Sequence, residues 1–152
     1  MKSGIIATNR KAYHNYFIID TYEAGMILTG SEVKSLREGK VNLKDSYISI
    51  RNYTATLLGL HISAYSHTGF SGHDPYRKRK LLLTKKEMTR LSQKVSEKGL
   101  TLIPVKMYFK GSWAKIEIAL AKGKKTYDKR DSIKRKDMKR DMDRVLRENY
   151  DV

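Results

Sequence analysis

The alternation of apolar and polar positions predicts β-strands along most of the first 122 residues. Aromatic and β-branched residues dominate 13–20, and after a turn or bulge at Gly25 the pattern resumes at 26–28. The other stretches with strand character are 47–51, 56–62, 81–83, 101–110 and 113–122. Two short turns, Asn52-Tyr53 and Gly111-Ser112, join neighbouring strands into hairpins. We expect residues 1–12 to be a mobile basic lead-in and 63–76 to be a long loop.

Two capping boxes predict where helices begin. Thr29 is followed three residues later by Glu32, and Thr84 by Glu87. The first box predicts a short helix over 31–38 that ends at Gly39. The second predicts a longer helix over 85–98, because its apolar positions recur at helical spacing up to Gly99.

About six β segments with one short and one longer helix predict a mainly β domain over residues 1–122. The arrangement favours a closed or nearly closed antiparallel barrel. Among barrels of this size that bind nucleic acids, the OB-fold is the most common. Periodicity alone does not separate an OB-fold from another small barrel, so both stay open at this point.

Residues 123–152 form a C-terminal tail of different character. A thin apolar stripe of Met138, Met142, Val145 and Leu146 is surrounded by charges of both signs. Because so marginal a helix is poorly populated in water, we predict a flexible tail that is disordered in isolation and becomes helical on a partner such as the ribosome. The alternative is a helix docked on its own barrel.

The charge balance indicates a polyanionic partner. The chain has 152 residues with 32 Lys+Arg against 16 Asp+Glu, a net charge of +16. Residues 123–152 contain 11 basic and 7 acidic side chains, so the tail carries +4 and residues 1–122 carry +12. Basic proteins of this kind bind nucleic acids through counterion release, although a soluble protein that is merely basic is the plainer alternative.

Composition also argues against several classes of protein. The chain has no cysteine, so it contains neither a disulfide framework nor a thiolate metal site. The first residues do not resemble a signal peptide, and no apolar run approaches the length of a membrane span. We therefore expect a cytoplasmic protein without cofactor or metal, and take a monomer as the default.

Two basic clusters are candidate RNA contacts. Arg77-Lys78-Arg79-Lys80 leads into an apolar strand, where it either follows an RNA backbone or keeps a strand edge soluble. Five cations near the domain boundary surround Tyr127, which suits phosphate contact with base stacking, or else a solvated linker. They are Lys122, Lys124, Lys125, Lys129 and Arg130.

Glu32 and the four histidines carry weaker signals. Glu32 could accept a hydrogen bond from a base or orient a neighbouring cation, but its position in a capping box favours a structural role. The histidines at 14, 61, 67 and 73 are dispersed and lack the spacing of a metal site. His67 and His73 share a loop with Asp74, and ordinary loop polarity explains them better than acid–base catalysis. The aromatic residues are either core or stacking residues, and the sequence does not select among them.

Four motifs in order resemble the family of SsrA-binding proteins, known as SmpB. They are GSEVKSLR at 30–37, DSY at 45–47, HDP at 73–75 followed by RKRKLLL at 77–83, and AKGKK at 121–125 running into DKR at 128–130. The resemblance extends from about Asn9 to Arg147. It implies an OB-fold and a non-enzymatic role in trans-translation, in which the protein binds the tRNA-like domain of transfer-messenger RNA. The tail of such proteins enters the small ribosomal subunit where messenger RNA is absent.

The resemblance also assigns roles to individual residues. Glu32 matches the functional glutamate of the family's short helix, with Lys34 and Arg37 beside it. Lys122, Lys124 and Lys125 match its basic RNA-contacting run, and we add Arg77, Arg79 and Lys80 as RNA contacts. Asp128, Lys129 and Arg130 match the tail motif needed for tagging. Tyr127 stands where some members have a histidine, and a tyrosine can stack but is not cationic near neutral pH.

Two other functions fit the composition. A single-strand binder of the cold-shock type would bind unstructured RNA equally well and would not need the tail. An RNA-processing enzyme would need a clustered acid–base pair around Glu32, Asp74 or a loop histidine, and the sequence contains no such pair.

Overall fold

The computed structural model describes residues 4–64 and 74–150, leaving aside the side chains of 126–128, 131–132 and 145–150. In these ranges more residues lie in strands than in helices. The strands are β1 Ile5–Thr8, β2 Tyr16–Met26, β3 Val41–Asn42, β4 Tyr47–Arg51, β5 Thr54–Leu58, β6 His61–Ile62, β7 Arg79–Leu82, β8 Thr101–Lys110 and β9 Trp113–Gly123. The helices are α1 Arg10–Asn15, α2 Gly30–Arg37, α3 Lys85–Lys98 and α4 Thr126–Tyr150.

The prediction of a mainly β, antiparallel domain is confirmed. Seven strands form one sheet in the order β1-β8-β9-β2-β7-β5-β4, and β3 pairs with β6 in a second, two-stranded sheet. The long β8–β9 hairpin pairs Lys110 with Trp113 around the Gly111-Ser112 turn. The β4–β5 hairpin turns at Asn52 and Tyr53, which both have positive φ as a two-residue hairpin turn requires.

Both predicted helices begin at their capping boxes. The Thr29 hydroxyl accepts from the Glu32 amide while the Glu32 carboxylate accepts from the Thr29 amide, and Thr84 and Glu87 repeat the arrangement. Helix α3 ends at Gly99, whose φ of 62° lies in the left-handed region. The boundaries predicted for α3 are confirmed at both ends.

The predicted closure of the barrel is wrong for the residues that the structure describes. β4 lies against β8, yet no register of paired residues joins them, so β1 and β4 are the two edges of the sheet. A cleft of about 310 Å³ separates β4 from the start of β8. Pro104 lies in β8 beside a shift in its register with β9, and it has no amide hydrogen to donate. The nearby Val105 carbonyl already accepts from the amide of Asn9, at 2.7 Å.

The predicted mobile lead-in is also wrong, because most of it is secondary structure. β1 pairs with β8 as an edge strand. Asn9 then begins α1: its side-chain oxygen accepts from the Ala12 amide, and its buried side-chain amide donates to the Pro104 carbonyl at 2.9 Å. As a result, residues 13–15 are helical rather than extended, and β2 begins only at Tyr16.

Three smaller predictions need correction. Gly25 lies within β2, and the irregularity of that strand falls between Ile18 and Asp20 instead. β2 ends at Met26, so the predicted strand at 26–28 does not continue to Leu28. The strand predicted over 56–62 divides at Gly59 into β5 and β6. Of the predicted loop over 63–76, residues 65–73 lie outside the described part of the chain.

The main hydrophobic core lies beneath the seven-stranded sheet. Leu57, Ile116 and Ile118 are fully buried, and Leu36 and Leu91 bring α2 and α3 onto the same cluster. A smaller cluster around Val105, Ala119 and Ala121 lies under α1. These two clusters hold the ends of β2 and β9 in place, where the basic residues of the domain boundary follow.

Helix α4 carries the tail. Its described side chains from Ile133 to Arg144 are all exposed. Only α1 is in marked contact with it among the described elements. The prediction of disorder in isolation concerns the chain in solution and stays a prediction.

Candidate nucleic-acid interface

Glu32 is the centre of a buried ionic network at the start of α2. Its side chain and that of Arg79 are both fully inaccessible to solvent. The Arg79 Nε donates to one carboxylate oxygen, and the Arg77 Nη2 donates to the other at 2.5 Å. The amide of Thr29 donates to that second oxygen at 2.9 Å, so the helix cap and the ion pairs share one carboxylate.

Arg79 uses its remaining donors to hold neighbouring backbone. Its Nη1 donates to the Leu60 carbonyl at 2.7 Å, and its Nη2 donates to the Pro75 carbonyl at 3.0 Å. The Glu32–Arg79 pair therefore connects α2 to the chain after β5 and to the segment that leads into β7. A buried arginine with these partners is a structural cross-link.

The surroundings of Glu32 keep its carboxylate ionised. Burial by itself would raise the pKa of Glu32, but hydrogen bonds from Arg77, the Thr29 amide and Arg79 outweigh burial and lower the pKa to about 2. The negative charge is therefore present at all physiological pH values.

The predicted RNA contacts differ in how accessible they are. Glu32 and Arg79 have no accessible side-chain surface, and their role in RNA binding stays a prediction. The alternative reading of Glu32, that it orients neighbouring cations, agrees with its contacts to Arg77 and Arg79. Arg77 is about one-third accessible, with 36% of its side chain exposed. Lys80 points outward from β7, on the opposite side from Arg79.

The basic run that begins at the end of β9 is held in a defined position. Lys122 is exposed and lies across the β2–β9 pair from Phe17. The amide of Lys124 donates to the Asn15 carbonyl at 2.8 Å, and its Nζ donates to the Tyr13 carbonyl at 3.2 Å. The same Nζ lies 5.0 Å from the centroid of the Phe17 ring, a cation–π distance.

One surface, which we call the lysine platform, is therefore formed by Lys122, Lys124, Lys125 and Phe17. Lys125 is exposed, and its carbonyl accepts from the amide of Lys129 in the first turn of α4. Phe17 is 45% exposed, an uncommon position for a phenylalanine. Cations beside an accessible ring suit contact with both the phosphates and the bases of RNA.

The sequence interpretation did not include Phe17 or the carbonyls of Tyr13 and Asn15 in the site. The sequence contains one signal for Phe17. Successive residues of a strand face opposite sides, and Ile18 packs on a core cluster, so the neighbouring Phe17 faces outward. The carbonyls carry no sequence signal, since any residue supplies one.

The other predicted site residues lie on two elements. Lys34 and Arg37 are exposed on α2, the helix that Glu32 anchors. Arg130 is exposed and Lys129 half-buried near the start of α4. The side chains of Tyr127 and Asp128 lie outside the described residues, so their proposed roles in the tail stay predictions.

The described histidines do not form a chemical centre. His14 is exposed on α1, and the ring of His61 contacts that of Tyr76 edge-on at 4.9 Å between centroids. His67 and His73 lie outside the described residues. In the described ranges, no three side chains of the His, Cys, Asp or Glu type come together as a metal site would need.

A family model described as SmpB protein matches residues 6–148 of this chain. The chain belongs to the SmpB family. The match covers both the sheet domain and most of α4, in agreement with the four motifs quoted from the sequence.

Curated SmpB relatives are similar over nearly their whole length. The SsrA-binding protein of Sulfurihydrogenibium sp. (strain YO3AOP1) is 56% identical over 147 residues, which cover 97% of each chain. The SsrA-binding protein of Persephonella marina is 58% identical over 138 residues, or 91% of each chain. That of Trichodesmium erythraeum (strain IMS101) is 57% identical over 145 residues, covering 95% of this chain and 93% of the relative.

A solved SmpB structure has a similar fold. It is described with the words "tmRNA-SmpB: a journey to the center of the bacterial ribosome". The two chains share 47% identity with a TM-score of 0.68, over 80% of this chain and 85% of the other. Within the described ranges of this SmpB-family chain, no helix is long and apolar enough to cross a membrane.

Proposed function

We propose that the protein binds the tRNA-like domain of transfer-messenger RNA and delivers that RNA to stalled ribosomes for trans-translation. The observation that carries the proposal is the similarity to a solved chain described as tmRNA-SmpB, at 47% identity. Relatives named SsrA-binding protein at 56–58% identity support the same RNA partner. The site of action is then the cytoplasm, where ribosomes translate.

The domain supplies the affinity for RNA in this proposal. Lys122, Lys124 and Lys125 of the lysine platform contact phosphates, and Phe17 stacks on an accessible base. The exposed Lys34, Arg37 and Lys80 and the partly exposed Arg77 extend the contact. Such a surface reads folded RNA by shape, phosphates and 2′-hydroxyls, and needs neither a catalytic centre nor a cofactor.

Glu32 is a positioning residue in this proposal. It fixes the start of α2 and the direction of Arg77, so that Lys34, Arg37 and Arg77 present their charges from a rigid base. We also propose that the sheet is an OB-type barrel left open between β4 and β8. OB-type barrels bind nucleic acids on one sheet face and adjoining loops, which agrees with a site built on β2, β9 and α2.

The tail supplies the ribosomal function in this proposal. Tyr127, Asp128, Lys129 and Arg130 act in the decoding centre of the small subunit, and the rest of α4 occupies the empty messenger RNA channel. Because the tail carries both signs of charge, it adds only +4 to the +12 of residues 1–122. The domain is therefore the larger source of electrostatic attraction to RNA.

The first experiment compares binding to a tRNA-like domain with binding to an unstructured RNA of equal length, over a salt series. It uses the full chain and a chain cut after Lys125, which keeps the lysine platform and removes α4. We expect a strong preference for the folded RNA, retained by the cut chain, together with loss of peptide tagging in a ribosome assay. Equal binding to both RNAs would instead indicate a single-strand binder of the cold-shock type.

The second experiment replaces Lys124 and Lys125 with Ala and repeats the salt series. Each lost phosphate contact lowers the slope of log K against log salt by about 1. The matched control replaces Lys86 and Lys98, two exposed lysines of α3, and should leave the slope nearly unchanged. The same slope in both variants would remove the lysine platform from the RNA contact.

A further inference from the structure

A groove of about 530 Å³ lies between α1 and α4, outside the lysine platform. From α1 it is lined by Arg10, Tyr13 and His14, which share one helical face at positions i, i+3 and i+4. From α4 it is lined by Ile133, Lys136, Asp137 and Arg140, which share one face at i, i+3, i+4 and i+7. One face of α1 and one face of α4 therefore lie opposite each other across the groove.

The basic side chains on the two walls of the groove repel each other. Arg10, Lys136 and Arg140 supply three basic side chains, and Asp137 is the one carboxylate among the residues that line the groove. With the side chains that the structure describes, these three cations form no ion pair. Like charges on facing helices repel, so an anion placed between them would be attracted from both sides.

The groove also has two accessible apolar walls. Tyr13 and Ile133 are each 48% exposed, one on either helix. An apolar peptide would leave the three cations facing it without a partner, which costs free energy. A nucleic-acid strand satisfies both features, because its phosphates pair with the cations and its bases or sugars cover the Tyr13 ring.

The start of α4 is held close to α1 independently of any ligand. Lys124 donates from its amide to the Asn15 carbonyl and from Nζ to the Tyr13 carbonyl, both at the end of α1. The two walls of the groove are therefore connected at one end, two residues before α4 begins. The far end, at Arg140, has no such connection among the described contacts.

We propose that the α1–α4 groove binds the phosphate backbone of an RNA strand and so joins the domain and the tail into one RNA-binding surface. This inference rests on the proposed RNA-binding function, and it adds a second contact site, apart from the lysine platform. In this arrangement RNA holds α4 against α1, so the direction in which the tail leaves the domain depends on the bound RNA.

The test uses the full chain and a short RNA hairpin of arbitrary sequence that has no tRNA-like features. The groove variant carries Arg10→Gln, Lys136→Gln and Arg140→Gln. The matched variant carries Lys134→Gln, Arg135→Gln and Lys139→Gln, which remove the same charge from α4 positions that do not line the groove. Binding is followed by fluorescence anisotropy over a potassium chloride series.

We expect the groove variant to bind at least about tenfold more weakly at 0.1 M salt, with a slope reduced by about 2 to 3. In the matched variant, the decrease in the salt slope should be less than about a third of the decrease in the groove variant. Equal losses in the two variants would overturn the proposal, because they would show that only total charge matters.

A methyl NMR spectrum gives a second, independent reading. Addition of the hairpin should shift the Ile133 methyl signals in the full chain and in the matched variant, but not in the groove variant. An unmoved Ile133 signal in the full chain at saturating RNA would overturn the proposal. Loss of preference for the tRNA-like domain would affect only the proposed function, since the hairpin measurement does not depend on it.

Discussion

The single residue with the largest expected effect on stability is Glu32. Its carboxylate is fully buried between Arg79 and Arg77, so Glu32→Gln leaves a buried guanidinium without its counter-charge. Removing one partner of a buried pair typically costs about 3–5 kcal/mol of unfolding free energy. Urea unfolding monitored by circular dichroism measures the loss.

A surface glutamate at the opposite end of the same helix is the control. Glu38 forms an ion pair with Lys40 at 3.0 Å, and both side chains are partly exposed. Glu38→Gln should therefore change the unfolding free energy by less than about 1 kcal/mol. Similar costs for the two substitutions would contradict the structural role that we assign to the buried network.

The same carboxylate predicts a pH dependence of stability. The pKa of Glu32 is about 2 in the folded chain against an ordinary value of 4.5, so folding favours the ionised form. Its stabilising contribution is complete above about pH 4.5 and disappears as the pH falls toward 2. The difference in unfolding free energy between the wild-type chain and Glu32→Gln should therefore shrink over this range. A constant difference from pH 6 to pH 2 would show that the ion pairs do not stabilise the fold.

At the scale of elements, the junction between β5 and β6 depends on Gly59. Its φ is +75°, and a Cβ built there would lie 2.9 Å from the backbone carbonyl oxygen of Asp45. Gly39, after α2, also has positive φ at +72°, but a Cβ there would meet no atom within 4 Å. The two glycines thus share the strain of the left-handed region and differ in the space around them.

This difference gives a matched pair of substitutions. Gly39→Ala should lower the free energy of unfolding by about 1–2 kcal/mol, because alanine must adopt the left-handed conformation. Gly59→Ala should cost clearly more, because the backbone of Asp45 must also move. Thermal unfolding of the two variants compares their stabilities directly. Equal losses of stability would show that the backbone at Asp45 moves aside at no cost in free energy.

At the scale of the whole molecule, α4 contributes little to the stability of the domain. Its described side chains are exposed or, at Lys129, half-buried. A chain cut after Lys125 should therefore unfold within about 1 kcal/mol of the full chain, since little apolar surface leaves contact. A chain cut after Gly123 should be less stable, because it also loses the bonds from Lys124 to α1.

Denaturant unfolding of the full chain and the two cut chains measures their relative stabilities. Equal stability of the two cut chains would remove the anchoring role of Lys124. A large loss in the chain cut after Lys125 would indicate that α4 packs on the domain more closely than its exposure implies.

Local patterns in the sequence determined the elements whose signals lie within about fifteen residues. The capping box at Thr84, the apolar spacing of Met88 and Leu91 and the terminal Gly99 define α3 without reference to the rest of the chain. The β8–β9 hairpin is defined in the same way by alternation and a two-residue turn. The basic charge and the family motifs likewise indicate RNA from the sequence alone.

The tertiary structure decided what depends on contacts between distant residues. β1 pairs as a strand with the edge of β8, and Asn9, the N-cap residue of α1, is held in place by a side-chain hydrogen bond to the carbonyl of Pro104, 95 residues away. The burial of Glu32 and Arg79 depends on a pair 47 residues apart. A sequence read in short windows contains the chemical groups but not the distances between them. Whether a charged side chain becomes a buried cross-link or an RNA contact is therefore settled only when the chain folds.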